Sequence, residues 1–132
     1  MDLIVTFPGS KKVDASYKGF TIQTDQAKHA GGNGSAPAPF DLFLASIATC
    51  GGIYVVYFCE KRDIPLDGIR LVQRMERNQE TRMITKITID IELPPDFPEK
   101  YREGLIRAVD LCTVKKHLFD PPEFELRTVT VP

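Results

Sequence analysis

The stretch PFDLFLASIATCGGIYVVYFCEK, residues 39–61, decides the fold of this chain. Pro39 suits the first turn of a helix, where its missing N–H costs nothing, and Asp41 adds a carboxylate at the positive end of the helix dipole. The spacing predicts a helix from about Pro39 to Lys61. Its apolar side chains, Phe40, Leu42, Phe43, Leu44, Ile47, Ile53, Tyr54, Val55, Val56, Tyr57 and Phe58, do not keep to one stripe. A helix that is apolar all round has to be covered all round. The rest of a 132-residue chain offers enough sheet for one side, so a second copy is expected to cover the other and the helix itself predicts a homodimer. Leu42 to Cys59 is also 18 residues without a charge, the length at which a membrane span has to be weighed. Ser46, Thr49, Gly51, Gly52, Tyr54 and Tyr57 inside the run, and strand patterns on both sides, favour a buried core helix.

On the N-terminal side, Leu3, Val5 and Phe7 alternate with other residues up to Pro8-Gly9, and Val13–Tyr17 and Phe20–Thr24 flank the turn pair Lys18-Gly19. Three short antiparallel strands are expected there. Ala30 to Pro39 reads as a loop. Its glycines, Gly31, Gly32 and Gly34, are followed by neither Gly-Lys-Ser/Thr nor an immediate helix, so a flexible connector is expected rather than a phosphate cradle.

On the C-terminal side, Pro65 to Gly68 ends the helix, and Ile69–Arg77 and Thr81–Leu93 read as a hairpin about Asn78-Gln79. Met83, Thr85, Ile87, Ile89, Ile91 and Leu93 should share one face, leaving the charged residues on a wet one. Asp96 and Glu99 have capping-box spacing before a helix over Phe97–Val109. Asp110 or Thr113 could cap a further helix ending near Phe119, and Phe124, Leu126, Thr128 and Thr130 suggest a closing strand. The order of elements predicts an α+β fold with mainly antiparallel sheet, in a single domain spanning residues 1–132.

The net charge of −1 and pI near 6.1 give no basic field for nucleic acid or anionic lipid. Neither nucleic acid nor a membrane is an expected partner. Met1 to Pro8 does not read as a signal peptide. Three cysteines are too few, and odd in number, for a disulfide framework, which points to a reducing cytoplasm.

Those cysteines are the candidates for chemistry. Cys50 lies mid-helix before Gly51-Gly52, a pair that costs about 1 kcal/mol each against alanine and lets another backbone or a ligand come close beside the thiol. Cys59 is roughly 13.5 Å further along and about 180° round the helix, so it cannot pair with Cys50 there. Cys112 would fall in the first turn of the helix that Asp110 starts, where amide donors favour a thiolate. Core packing is the bland alternative for all three. His29 and His117 are isolated, and no Cys-x-x-Cys or His-x-x-x-His spacing occurs, so neither a metal nor another cofactor is expected. A cysteine-protease pairing would need a histidine beside Cys50, which spacing alone does not supply.

The residues Pro39 to Cys50, and Leu111 to Leu118 around Cys112, resemble the pattern of the OsmC/Ohr family (osmotically inducible protein C and organic hydroperoxide resistance proteins), in its OsmC-like branch. The order of elements and the Gly-Gly loop extend the resemblance over nearly the whole chain. It implies an OsmC-like fold, an intertwined homodimer with sites at the interface, and a peroxidase cycle for organic hydroperoxides. In that cycle Cys50 is the peroxidatic thiol and Cys112 the resolving one, and a lipoyl-type or other dithiol regenerates them. Asp41 takes the place of the branch's acidic residue; the hydroperoxide-resistance branch has a glutamate where Phe40 stands. That branch also supplies an arginine from its N-terminal strands, whereas the first arginine here is Arg62, and it has proline where Thr113 stands. Lys11, Lys12, Lys18, Lys28 or a partner's arginine remain alternatives for activating Cys50. A non-peroxidatic protein holding a small apolar ligand or electrophile in the same pocket is the rival reading, and a dimeric scaffold with inert cysteines the third.

Overall fold

A computed structural model describes residues 2–132. The chain forms two compact units, one ending at Ser46 and the other running from Ile47 to Pro132, and the long helix passes from the first into the second.

In the first unit, β1 (Ile4–Gly9), β2 (Lys12–Tyr17) and β3 (Phe20–Thr24) make an antiparallel sheet in sequence order. Tyr17 faces Phe20 across a two-residue turn whose Lys18 and Gly19 both have positive φ, 52° and 81°. Such a turn matches the twist of the flanking strands, which is why a Lys-Gly pair can close it. The glycine-rich stretch that follows is not a flexible connector. Asp25, fully buried, accepts hydrogen bonds from the amides of Gln26 (2.7 Å), Asn33 (3.3 Å) and Ser35 (3.1 Å) and from the Ser35 hydroxyl (2.6 Å). One carboxylate thus gathers a loop about ten residues long. Gly32 is needed there, because a Cβ would stand 2.0 Å from the Gln26 carbonyl oxygen.

Helix α1 spans Pro39–Glu60, as expected from its sequence. In the second unit its buried residues, Ile47, Gly51, Val55, Phe58 and Cys59, trace a single stripe, and Val55, Phe58 and Cys59 meet Phe97, Leu105 and Val109 in the core. The all-round burial expected of the helix is therefore absent within one chain: Ile53 and Tyr57 remain exposed, Tyr57 by 51%. α1 is long and apolar enough to cross a membrane by length and composition. Its inner stripe nevertheless supplies the core of this unit.

Strands β4 (Arg70–Arg77) and β5 (Ile84–Glu92) pair antiparallel, with Ile91 and Leu93 packed against the core. The wet face is as expected: Arg70 and Glu92 are paired across it at 2.5 Å, and Arg74 pairs with Asp90. β5 begins three residues later than its alternation suggested. Asn78 Oδ1 accepts the Glu80 and Thr81 amides, both at 2.9 Å, and the chain turns through Arg82 at φ 66° before pairing can start.

The single helix expected over Phe97–Val109 is a 3₁₀ turn, Glu99–Tyr101, followed by α2, Arg102–Val109. The expected capping box is not formed. Pro98 is extended, with ψ 120°, and Glu99 pairs with Arg102 at 2.6 Å instead of reaching back. Helix α3 covers Thr113–Phe119, and its cap is neither Asp110 nor Thr113 but Cys112, whose sulfur accepts the Lys115 amide at 3.5 Å. Asp110 is drawn to the Lys115 ammonium. The expected closing strand is absent. From Pro121 onward the chain has no regular structure, and Phe124 (82%) and Leu126 (92%) are exposed. An alternating sequence makes a strand only against an edge, and this segment pairs with none in the single chain.

Candidate functional site

Gly51 is where two helices come close enough to bring the candidate cysteines together. A Cβ on it would lie 3.1 Å from Val109 Cγ1, so the bare backbone of α1 lets the end of α2 ride directly on it. Cys112, three residues beyond Val109, is thereby buried against α1. Its thiol points at the Ile47 carbonyl, 3.9 Å away, one turn before Cys50.

Cys50 is only partly covered, and the start of α3 bears on its sulfur. The Val114 amide does most to hold the Cys50 thiol below the ordinary cysteine value, and the Cys112 thiol and the amide and hydroxyl of Thr113 act the same way; burial opposes them. A thiolate that accepts hydrogen bonds is favoured over the thiol. Among the described residues, no cation is among these groups. The Thr113 hydroxyl is itself 3.4 Å from that of Tyr54, one turn beyond Cys50 on α1.

Cys112 is pushed the other way. Burial raises its thiol first, and the adjoining Cys50 adds to this, while the Lys115 amide partly offsets it. A place in the first turn of a helix was expected to favour a thiolate at Cys112. Instead its burial outweighs the amide, and the donors of α3 favour Cys50. The pair thus consists of a partly covered thiol held below its ordinary value beside a buried one pushed above it.

Cys59 is apart from this pair. It lies in the core, its thiol raised by burial against the opposing charge of Arg62. Arg62, the first arginine in the chain, stacks 3.6 Å from the centre of the Phe58 ring and donates to the Phe58 carbonyl at 3.0 Å. Asp41 belongs to the first unit, where its carboxylate accepts the Ala38 amide at 3.0 Å and so satisfies a free donor at the start of α1. His29 lies in the 3₁₀ turn Lys28–Ala30, and His117 Nδ1 is 2.7 Å from the Thr113 carbonyl oxygen. Among the described residues, no group of three or more His, Cys, Asp or Glu side chains could hold a metal.

The residues that sequence reasoning missed are Tyr54, Thr113 and Val114. Tyr54 is four places after Cys50, and so on its side of the helix, but only the return of the chain at Thr113 makes that position matter. Beside Cys112, a mainly apolar cavity of about 830 Å³ opens between β5 and the helices, with Ile47, Ile89, Leu105, Val109, Cys112 and Leu118 in its wall.

The family model described as OsmC-like protein matches residues 32–127. Among solved structures, the chain is similar to a protein of Psychrobacter arcticus 273-4 assigned to the osmotic stress and detoxification response. That pair has a TM-score of 0.72 and 22% identity, covering 86% of this chain and 85% of the other. An OsmC-like protein of Mycoplasma pneumoniae gives 0.69 at 14% identity, covering 91% and 87%. The organic hydroperoxide resistance protein OhrB of Bacillus subtilis gives 0.51 at 18% identity, covering 89% and 90%. No curated protein matches the chain by sequence.

Proposed function

The chain belongs to the OsmC-like family, and from that premise we propose that it is a thiol-dependent peroxidase for organic hydroperoxides, working through Cys50 and Cys112. The observation that carries this reading is the split in acidity between two adjoining thiols, Cys50 lowered by hydrogen bonds and Cys112 raised by burial.

In this reading the Cys50 thiolate attacks the terminal oxygen of the hydroperoxide. The O–O bond breaks, the alkoxide leaves as an alcohol after taking a proton, and Cys50 becomes a sulfenic acid. The Cys112 thiol then displaces the sulfenic hydroxyl as water, forming the Cys50–Cys112 disulfide. An external dithiol of the lipoyl type reduces that disulfide and is itself oxidised to its disulfide. Asp41 serves by starting the helix that carries Cys50. The exposed apolar residues of α1 support a homodimer, with the second copy covering Ile53 and Tyr57, and thiol chemistry of this kind suits a cytoplasmic location.

Brief exposure to an equimolar organic hydroperoxide, followed by mass spectrometry, should show a Cys50–Cys112 disulfide with Cys59 still free. Cys50→Ser should abolish turnover with a dithiol, and Cys112→Ser should leave a sulfenic acid on Cys50. A Cys50 thiol that stays reduced under excess peroxide overturns the reading. The cavity that Cys112 lines favours a second reading in that event, the binding of a small apolar ligand or electrophile.

A further inference from the structure

Two contacts fix where the chain stands as it leaves Cys112. Cys112 Sγ is 3.9 Å from the carbonyl oxygen of Ile47, three residues before Cys50, and Thr113 Oγ1 is 3.4 Å from the hydroxyl of Tyr54, four residues after it. On a helix those two positions lie on the same side as Cys50, one turn below and one turn above. Consecutive residues that touch both neighbours must pass over the residue between. Thr113 is therefore held across Cys50, presenting an amide and a hydroxyl.

A threonine hydroxyl has one proton to give and two lone pairs to receive. Tyr54 can donate to one of those lone pairs, which leaves the threonine proton for the sulfur. We propose that Thr113, together with the Val114 amide that follows it, activates Cys50, the Thr113 N–H and Oγ1–H both donating to the thiolate, and that Tyr54 is a positioning residue that aims the Thr113 hydroxyl. The Cys50 thiol is held below its ordinary value first by the Val114 amide, then by the Cys112 thiol and by both Thr113 groups, which agrees with this. The inference rests on Cys50 being the reacting thiol and identifies hydrogen-bond donors that make it so. Activation of this kind adds no charge. The thiolate it favours should depend little on ionic strength, unlike one stabilised by a solvent-exposed ion pair. The other titratable or charged groups facing the site are Cys112, Lys115, which is paired with Asp110, and His117 on the Thr113 carbonyl.

The test is the pH dependence of Cys50 alkylation by iodoacetamide in the full-length protein, followed residue by residue by mass spectrometry. Thr113→Val keeps the shape and the amide but removes the hydroxyl. It should move the Cys50 midpoint upward and slow alkylation at neutral pH severalfold, because less of the thiol is then ionised. Thr113→Ser should restore the wild-type profile, and Tyr54→Phe should move it in the same direction as Thr113→Val but less. A midpoint unchanged in both Thr113→Val and Tyr54→Phe overturns the inference; if Thr113→Val does not fold, Tyr54→Phe carries the test alone. Because the readout uses no peroxide, a wild-type protein without peroxidase turnover whose midpoint still moves in Thr113→Val would end the peroxidase reading and leave this one standing. Normal turnover with an unmoved midpoint would do the reverse.

Discussion

At the scale of single residues, acidity is decided by which donors reach which atom. Three cysteines that look alike in the sequence differ because amides and a hydroxyl bear on Cys50, whereas Cys59 and Cys112 are enclosed. The same physics acts at Asp25, whose carboxyl is held down to about 2 from an ordinary 3.8, first by the Ser35 hydroxyl and then by the Ser35 and Gln26 amides. A carboxyl with a lower value folded than unfolded stabilises the fold above its unfolded value, and the contribution is lost as pH falls through the folded one. The Asp25 contribution is thus complete above pH 3.8 and disappears as pH falls to about 2. Acid unfolding followed by circular dichroism should show wild type losing stability over that window. Asp25→Asn should be less stable at neutral pH, and its difference from wild type should shrink across the same window; a difference that stays constant with pH would refute the assignment.

At the scale of elements, the critical contact is α1 against the end of α2 at Gly51. Alanine there must displace Val109, whose Cγ1 would be 3.1 Å from the new Cβ. Gly51→Ala is expected to destabilise the protein by about 1–3 kcal/mol, the usual cost of adding a carbon to a filled core. Adding Val109→Ala should relieve part of it. The two substitutions should therefore be less destabilising together than the sum of their separate effects, measured by urea unfolding. Strict additivity would mean that the helices do not meet where this contact puts them. Leu105, 1% exposed in the same core, has no such compensating partner, and Leu105→Ala should cost about 2–5 kcal/mol.

At the scale of the whole molecule, a single chain leaves much apolar surface uncovered. Ile53 and Tyr57 on α1, and Phe124, Leu126, Val129 and Val131 after α3, are all exposed. Scattered exposed apolar residues are ordinary, but several along one long helix and one terminal segment are what the homodimer proposed above would cover. Sedimentation at micromolar concentration should show a homodimer that persists in moderate salt, since the surface available for burial is apolar rather than ionic. A well-folded monomer under those conditions would remove the homodimer from the proposed function.

What the sequence determined by itself is what depends on near neighbours. The span of α1 followed from Pro39 and an unbroken apolar run, the β2–β3 hairpin from alternation about Lys18-Gly19, and the wet face of β4–β5 from period-two charges. The α+β class and the family pattern around Cys50 and Cys112 were legible for the same reason. Local signals failed where a distant or competing partner took the group concerned. Glu99 paired with Arg102 rather than closing its capping box, Cys112 displaced Asp110 and Thr113 as the cap of α3, and Asp25 tied down a loop whose glycines suggested freedom. Only the tertiary structure decided which thiol is acidic. Helix position favoured a thiolate at Cys112, but acidity depends on burial and on hydrogen bonds, and both arise when residues 112–114 return to α1, more than sixty positions along the chain from Cys50.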